Sequence, residues 1–272
     1  RWRTRAAQRA AMREPPRATV APARTLWFFV PAYHEEENLP PLLEDLRATI
    51  AAWRNAPRIE VAVVDDGSRD GTGRAATSVP GMKVTLLTHA VNQGLGAAMR
   101  TGIEHVLAHA QDDDLLATMD ADHTHPPELL PAMVARADAG ADLVIASRYR
   151  EGAEIHGLVR WRRWLSDVAS WIFRVLFPCG ARDYTCGYRV YRVGLLRWGQ
   201  RRYGRHFLNQ QGFSVMVDLL LKLRRRARRI DEVPLVLRYD RKRGVSKMRV
   251  VQTTVTTLRL LGRRFVGNPA GP

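Results

Sequence analysis

Four acidic side chains stand where two apolar runs end. Asp65 and Asp66 follow VAVV, and Asp120 and Asp122 follow LLATM. One carboxylate at a strand end is common, but two pairs on two strands of one sheet would converge on a single crevice. Alternate residues of an extended segment point the same way, so the D-x-D spacing aims both Asp120 and Asp122 into that crevice. Hard divalent ions bound beside phosphates take one or two carboxylates and complete their shell with phosphate oxygens. Asp120 and Asp122 therefore read as ligands for Mg²⁺ or Mn²⁺. The competing reading is an Asp-rich turn with no metal.

A second segment suits a nucleotide. PAYHEEEN (Pro31–Asn38) closes the first apolar run with a proline, an aromatic ring and three glutamates. Tyr33 and Glu35 lie near the strand end and can stack on and hydrogen-bond a base. Glu36 and Glu37 read as acids complementing a helix dipole. NQGLGAAMRTG (Asn92–Gly102) lacks the last glycine of G-x-G-x-x-G and the lysine of a P-loop, which excludes a dinucleotide fold and a P-loop NTPase. Its glycines read as close helix packing. His123 and His125 flank Thr124 beside the D-x-D, but no third nitrogen or sulfur ligand for zinc is evident. They read as shaping the loop, with Pro126–Pro127 starting the next helix. No nucleophile-elbow or Ser–His–Asp pattern supports hydrolysis through a serine.

The elements that must position these residues are legible in the periodicity. LWFFV (Leu26–Val30), IEVAVV (Ile59–Val64), KVTLLT (Lys83–Thr88), LLATM (Leu115–Met119) and DLVIAS (Asp142–Ser147) read as buried strands. Segments of helical period separate them. This alternation predicts an α/β fold, a mostly parallel sheet with helices on both faces and a ligand beyond the carboxyl ends of the strands. Beyond about Tyr149 the pattern changes. Leu158–Phe177 and Lys247–Phe265 mix aromatic and aliphatic residues with arginines. Such helices suit a membrane interface, where rings and cations meet lipid headgroups, or pack as ordinary helices with a solvated basic face.

The 272 residues hold 43 Lys plus Arg against 27 Asp plus Glu, a formal charge of +16, with 46% hydrophobic residues. That excludes wholesale disorder. No run approaches the roughly 18 to 20 apolar residues of a membrane span. Cys179 and Cys186 are too few for a disulfide scaffold, so a reducing, cytoplasmic setting is expected. Residues 1–24 carry seven Arg and one Glu and read as a disordered basic tail without the apolar core of a secretory signal. The basic excess calls for nucleic acid, an anionic membrane or a phosphorylated substrate. RRRARR (Arg224–Arg229) prompts the first, but no nucleic-acid-binding motif accompanies it, so none is expected.

PAYHEEENL, VVDDGSRDGT, NQGLGAAMRTG, MDADHTHPPELL, ASRY, DYTCGYRVYR and RGVSKM occur in this order. Together they resemble family-2 glycosyltransferases of GT-A fold, specifically the dolichyl-phosphate mannose synthase group, over roughly residues 25–265. The resemblance implies one domain over 25–266, with a nucleotide-sugar half (25–148) and an acceptor, membrane-facing half (149–266), followed by a tail (267–272). It assigns Pro31, Tyr33, Glu35 and Asp65 to the nucleotide, and Asp120 and Asp122 to the metal and diphosphate. It assigns Arg148, Arg162 and Ser166 to the acceptor phosphate, and Arg243 and Lys247 to a basic segment closing over the donor. Asp218 matches an acidic position behind the site. Thr124 and Gln93 depart from the pattern, standing where a Gln and a basic residue are common.

The implied reaction is inverting transfer of a sugar, mannose from GDP-mannose on family weight, onto a polyprenyl phosphate at the cytoplasmic membrane face. UDP-glucose, UDP-GlcNAc or a saccharide acceptor are the alternatives. A lipid phosphate is already anionic and needs no general base, but it must be held against an anionic donor, which calls for arginines. Against this stands the reading in which Arg148 is a strand-end residue paired with a carboxylate such as Asp183.

Overall fold

TLWFFVPA forms β1 (Thr25–Ala32) at the heart of a sheet. Leu26, Phe28, Phe29 and Val30 are fully buried, as befits a strand covered on both faces. The structure is a computed structural model and describes residues 24–157, 170–210, 212 and 214–244. The basic tail before Arg24, Arg162, Ser166 and the basic segment Lys247–Phe265 lie outside the described residues.

The strands are β1, β2 (Arg58–Asp65), β3 (Val84–Thr88), β4 (Leu115–Thr118), β5 (Leu143–Ser147), β6 (Glu154–His156), β7 (Arg189–Arg192), β8 (Ile230–Pro234) and β9 (Val236–Arg238). Seven form one sheet in the order β3-β2-β1-β4-β7-β5-β8, and β6 pairs with β9 in a small parallel ribbon. In the large sheet only β7 runs antiparallel, against both β4 and β5. The five strands expected from apolar runs are present with bounds shifted by one or two residues.

The helices are α1 (Leu39–Ala52), α2 (Thr72–Ala76), α3 (Leu95–His109), α4 (Leu130–Asp138), α5 (Val193–Tyr203) and α6 (Ser214–Leu223). Residues 170–176 are helical too. Among the described residues no helix is long and apolar enough to cross a membrane. α3 shows why the Gly-rich segment is glycine-rich. A Cβ on Gly102 would lie 2.2 Å from the Phe29 ring, so the helix rests directly on β1. Gly94, at φ +87°, caps the helix in a conformation that favours glycine.

Two local expectations are corrected. Glu36 and Glu37 precede the N-cap Asn38, and α1 opens with prolines and no acid in its first turn. Glu36 instead accepts the Gly71 N–H at 2.6 Å, tying the loop after β1 to the loop after β2. The D-x-D is not extended either. β4 ends at Thr118, and Asp122 lies in a turn that His123 completes at φ +58°.

Candidate active site

The acidic residues lie at or just past the carboxyl ends of β2 and β4, where an open α/β sheet places its ligands. Pro31 and Ala32 end β1 there, and the loop that follows is pinned. His34, at φ +54°, donates its backbone N–H to Ser68 Oγ and accepts the Arg69 N–H on Nε2. Tyr33 stacks on the His34 ring with centroids 4.0 Å apart. Glu35 is buried. Its N–H donates to Thr72 Oγ1 at 2.8 Å, and its carboxylate accepts Asn38 Nδ2 at 2.7 Å.

Asp65 and Asp66 divide their labour. Asp65 ends β2 and accepts the Ser68 N–H, with α2 so close that a Cβ on Gly73 would lie 3.2 Å from its carboxylate. Asp66 accepts the Gln93 and Gly94 N–H groups at 2.9 and 2.7 Å and meets His89 Nδ1 at 2.6 Å. Asp66 thus builds the Gly-rich loop, and Gln93 serves through its backbone rather than through its side chain.

Glu35, Asp120, Asp122 and Lys242 form one electrostatic unit. Asp122 Oδ1 accepts the Thr124 N–H and hydroxyl at 3.2 and 2.7 Å, and Oδ2 receives Lys242 Nζ at 2.7 Å. Burial opposes ionisation of Asp122, but Lys242 and then His125 outweigh it and hold the carboxyl below its ordinary range. Asp120 goes the other way. Burial first, then the like charges of Asp122 and Glu35, raise it, although His125 and Lys242 pull against them. Burial would lower Lys242, but Asp122 and Glu35 raise it. The Asp120 carboxylate lies against Gly187, where a Cβ would come within 2.6 Å of Oδ1.

These residues fit a divalent ion. Among the described residues no three His, Cys, Asp or Glu gather closely enough to hold an ion unaided. Two carboxylates are the protein's share in a site whose remaining ligands are diphosphate oxygens. Burial and two neighbouring acids keep the Asp120 carboxyl raised in spite of His125 and Lys242, so a further cation there would be stabilising. His123 and His125 shape the loop as expected: His123 Nε2 meets Asp45 at 2.8 Å, and buried His125 approaches Asp120 at 3.9 Å and Cys186 Sγ at 3.8 Å.

Arg148 follows β5 and meets Asp183 fork to fork, Nε and Nη2 each 2.8 Å from a carboxylate oxygen. Nη2 also donates to Thr185 Oγ1. Asp183 is fully buried and accepts the backbone N–H groups of Arg148, Thr185 and Cys186. Burial alone would raise its carboxyl, but Arg148 and these donors bring it down to about 2. The DYTCGYR loop carrying Asp183 and Gly187 is itself fastened by Arg189, whose buried guanidinium donates to the carbonyls of Cys186, Met216 and Tyr184. Arg148 is thus paired as the competing reading held. Arg162 and Ser166, outside the described residues, are not placed beside it.

Arg243 reaches the site through its backbone, exchanging two hydrogen bonds with the Asn38 side chain while its own side chain is exposed. Its neighbour Lys242 is the cation on Asp122. Sequence reasoning passed over it because one basic residue in RKRGVSK looks like another. Asp218, on α6, pairs with Lys222 one helical turn on at 2.5 Å, both buried.

The profile of "Glycosyl transferase family 2" matches residues 27–198. The polyprenol monophosphomannose synthase of Mycolicibacterium smegmatis is 34% identical over 235 residues, 85% of this chain and 83% of that protein. The undecaprenyl-phosphate mannosyltransferase of Micrococcus luteus is 34% identical over 80% of this chain and 85% of its own. Among solved structures, the mannosyl-3-phosphoglycerate synthase of Rubrobacter xylanophilus superposes with a TM-score of 0.60 at 18% identity, covering 92% of this chain and 76% of that one. The glucosyl-3-phosphoglycerate synthase of Mycobacterium tuberculosis with Mn²⁺, UDP and phosphoglyceric acid also gives 0.60, at 17% identity over 92% and 80%. At that identity the likeness concerns the fold. A GT-A sheet, a paired-carboxylate crevice and a family profile over most of the chain agree: the protein belongs to glycosyl transferase family 2 and is a glycosyltransferase.

Proposed function

We propose that the protein transfers mannose from GDP-mannose to a polyprenyl phosphate, with inversion, at the cytoplasmic face of a membrane it binds peripherally. The observation that carries this reading is the state of the acidic groups around the crevice. Asp122 is held ionised by Lys242 and Asp183 by Arg148, while Asp120, whose carboxyl is raised, is a carboxylate that the metal would occupy. A carboxylate held ionised by a basic partner is a weak base towards a sugar hydroxyl. An acceptor that arrives as an anion needs no such base. The names of the Mycolicibacterium and Micrococcus relatives support the same class of acceptor.

In this reading an acceptor phosphate oxygen attacks the anomeric carbon as the carbon–oxygen bond to the diphosphate breaks, and GDP leaves. Pro31, Tyr33, Glu35 and Asp65 hold the nucleoside. Asp120 and Asp122 would hold Mg²⁺ or Mn²⁺, which would supply Lewis-acid charge to the leaving diphosphate. Lys242 adds a cation beside it, and Arg243 and Lys247 belong to the segment that covers the donor. Asp183 and Thr185 take Nε and Nη2 of Arg148, so the two N–H groups of Nη1 are those offered to the acceptor. The pairing fixes the guanidinium plane in advance, which lowers the entropic cost of binding. Arg162 and Ser166 complete the acceptor set.

The test is a panel of nucleotide-sugars offered with polyprenyl phosphate, with and without EDTA. Metal-dependent mannosyl transfer from GDP-mannose is expected. Transfer only to a soluble saccharide would overturn the acceptor, and transfer from UDP-glucose alone would overturn the donor. Release of the membrane-bound protein by high salt is expected of peripheral attachment. Resistance to both salt and alkali would reject it.

A further inference from the structure

RRRARR (Arg224–Arg229) sits in the turn between α6 and β8. Arg148, Arg150, Arg192, Arg197 and Arg238 each meet a carboxylate. Within the turn, Arg229 pairs with Asp231 at 2.8 Å. No ion pair among the described residues involves Arg224, Arg225, Arg226 or Arg228. Arg224, Arg225 and Arg228 line one cleft of about 230 Å³, whose other walls include Pro178 and Cys179. The Arg228 backbone N–H donates to Asp142 at 2.7 Å, but three guanidinium groups crowded into one cleft still repel, and an anion from outside relieves them.

The surroundings say which anion. Arg224 donates to the Pro178 carbonyl at 2.9 Å, and its guanidinium lies 5.5 Å from the centre of the Phe177 ring. Phe177 follows the helical residues 170–176, on which Trp171 and Val175, four residues apart, are 60% and 59% exposed. On the same helix Arg174 lies 5.8 Å from the Tyr149 ring, just beyond β5. The described end of the helix thus touches both the mouth of β5 and, through Phe177, the basic turn. That turn precedes β8, which is parallel to β5, so it lies at the opposite end of the sheet from the catalytic carboxylates. Apolar side chains exposed beside an arginine-lined cleft match a bilayer surface, where rings enter the headgroup layer and cations meet lipid phosphate. A nucleic acid backbone would satisfy the arginines but leave Trp171 and Val175 in water.

We propose that Arg224, Arg225 and Arg228 form a headgroup site for an anionic lipid, a second lipid contact distinct from the acceptor site. This rests on the membrane-surface part of the reading above and not on the identity of the sugar or acceptor. The site anchors the far end of the helix, so the face holding Trp171 and Val175 lies flat and the acceptor mouth meets the leaflet.

The test is flotation of the whole chain with phosphatidylcholine vesicles, with and without phosphatidylglycerol. Each arginine replaced by Gln is expected to weaken binding to anionic vesicles about fivefold, and all three about a hundredfold. Binding to neutral vesicles, thermal melting, and turnover of a short, water-soluble polyprenyl phosphate should stay unchanged. Arg224→Gln also removes the Pro178 contact, so Arg225→Gln/Arg228→Gln carries the decision if the triple variant folds poorly. Wild-type binding of that double variant to anionic vesicles overturns the proposal. So does complete competition by inorganic phosphate, which marks a free-anion pocket. Loss of duplex DNA binding with vesicle binding intact also overturns it. Vesicle binding needs neither donor nor acceptor, so failure of sugar transfer with lipid binding intact rejects only the functional reading.

Discussion

Replacing Arg148 by Ala tests fold and function at once, and the two effects have separate sizes. The substitution removes three side-chain hydrogen bonds, two of them to a carboxylate with no solvent exposure. Breaking a buried ion pair from one side costs about 3–5 kcal/mol, because a charge is left stranded. Asp183 keeps backbone donors at residue 148, Thr185 and Cys186, so about 3 kcal/mol is expected. For a protein of this size that is a fall in Tm of about 10 °C. If Arg148 also grips the acceptor, kcat/KM for polyprenyl phosphate per folded molecule should fall by about one to three orders of magnitude. KM for the nucleotide-sugar should barely move. Arg148→Lys should rescue in part, since a point charge cannot form the fork. Asp183→Asn separates the effects by disturbing the loop while leaving the guanidinium. A lowered Tm with unchanged kinetics per folded molecule refutes the acceptor role. An unchanged Tm refutes the structural argument. Acid stability gives an independent reading. The Asp183 carboxyl is lowered from 3.8 to about 2, so its contribution, about 2 kcal/mol, is present above the unfolded value and lost as pH falls through about 2. In Arg148→Ala the acid transition should move to higher pH, as monitored by circular dichroism.

Four further outcomes are expected. Asp122→Asn should fold normally and lose most divalent-ion-dependent turnover, which a Mn²⁺ and Mg²⁺ titration of initial rates would show; full activity in excess EDTA contradicts a metal site. Gly187→Ala brings a Cβ to 2.6 Å from Asp120, so the carboxylate must shift, and kcat should drop about a hundredfold with little change in Tm. Lys242→Met should raise KM for the nucleotide-sugar by about tenfold, the loss of a charged contact, and an unchanged KM removes Lys242 from the donor site. Gly102→Ala forces α3 off Phe29 and should cost about 1–3 kcal/mol in urea denaturation without changing kinetics per folded molecule.

What could be read in advance follows from which signals are local. β1, β2 and β4 are near-continuous apolar runs, and carboxylates at their ends need only the rule that ligands gather there. β7 was harder. RVYR is short and carries two arginines, and it is a strand because Arg189 finds three carbonyls and Tyr191 is buried. Those partners are brought by tertiary structure, which no window of sequence contains. The D-x-D drew attention to Asp120 and Asp122 through an extended geometry they do not have, since a turn at His123 sets Asp122 against Lys242. Asp65 and Asp66 looked equivalent as a pair, and only the Gly-rich loop distinguishes them, because Asp66 spends its oxygens on Gln93 and Gly94. Lys242 is 120 residues from its carboxylate and identifiable only once the segment after β9 folds back.

The antiparallel β7 bears on the order in which the chain can assemble. β4 and β5 are synthesised early, yet they are not neighbours: both wait for a strand that lies more than forty residues beyond β5. Until β7 arrives, each exposes an unpaired backbone edge, the state in which strands are prone to pair wrongly or with other chains. Entry of β7 closes that slot from both sides. It also delivers the DYTCGY loop just ahead of it, so Gly187 reaches Asp120 and Asp183 reaches Arg148 in the same event. Sheet closure and completion of the site are one cooperative step, and a trapped intermediate lacking β7 would hold folded strands on either side of the slot but no working crevice.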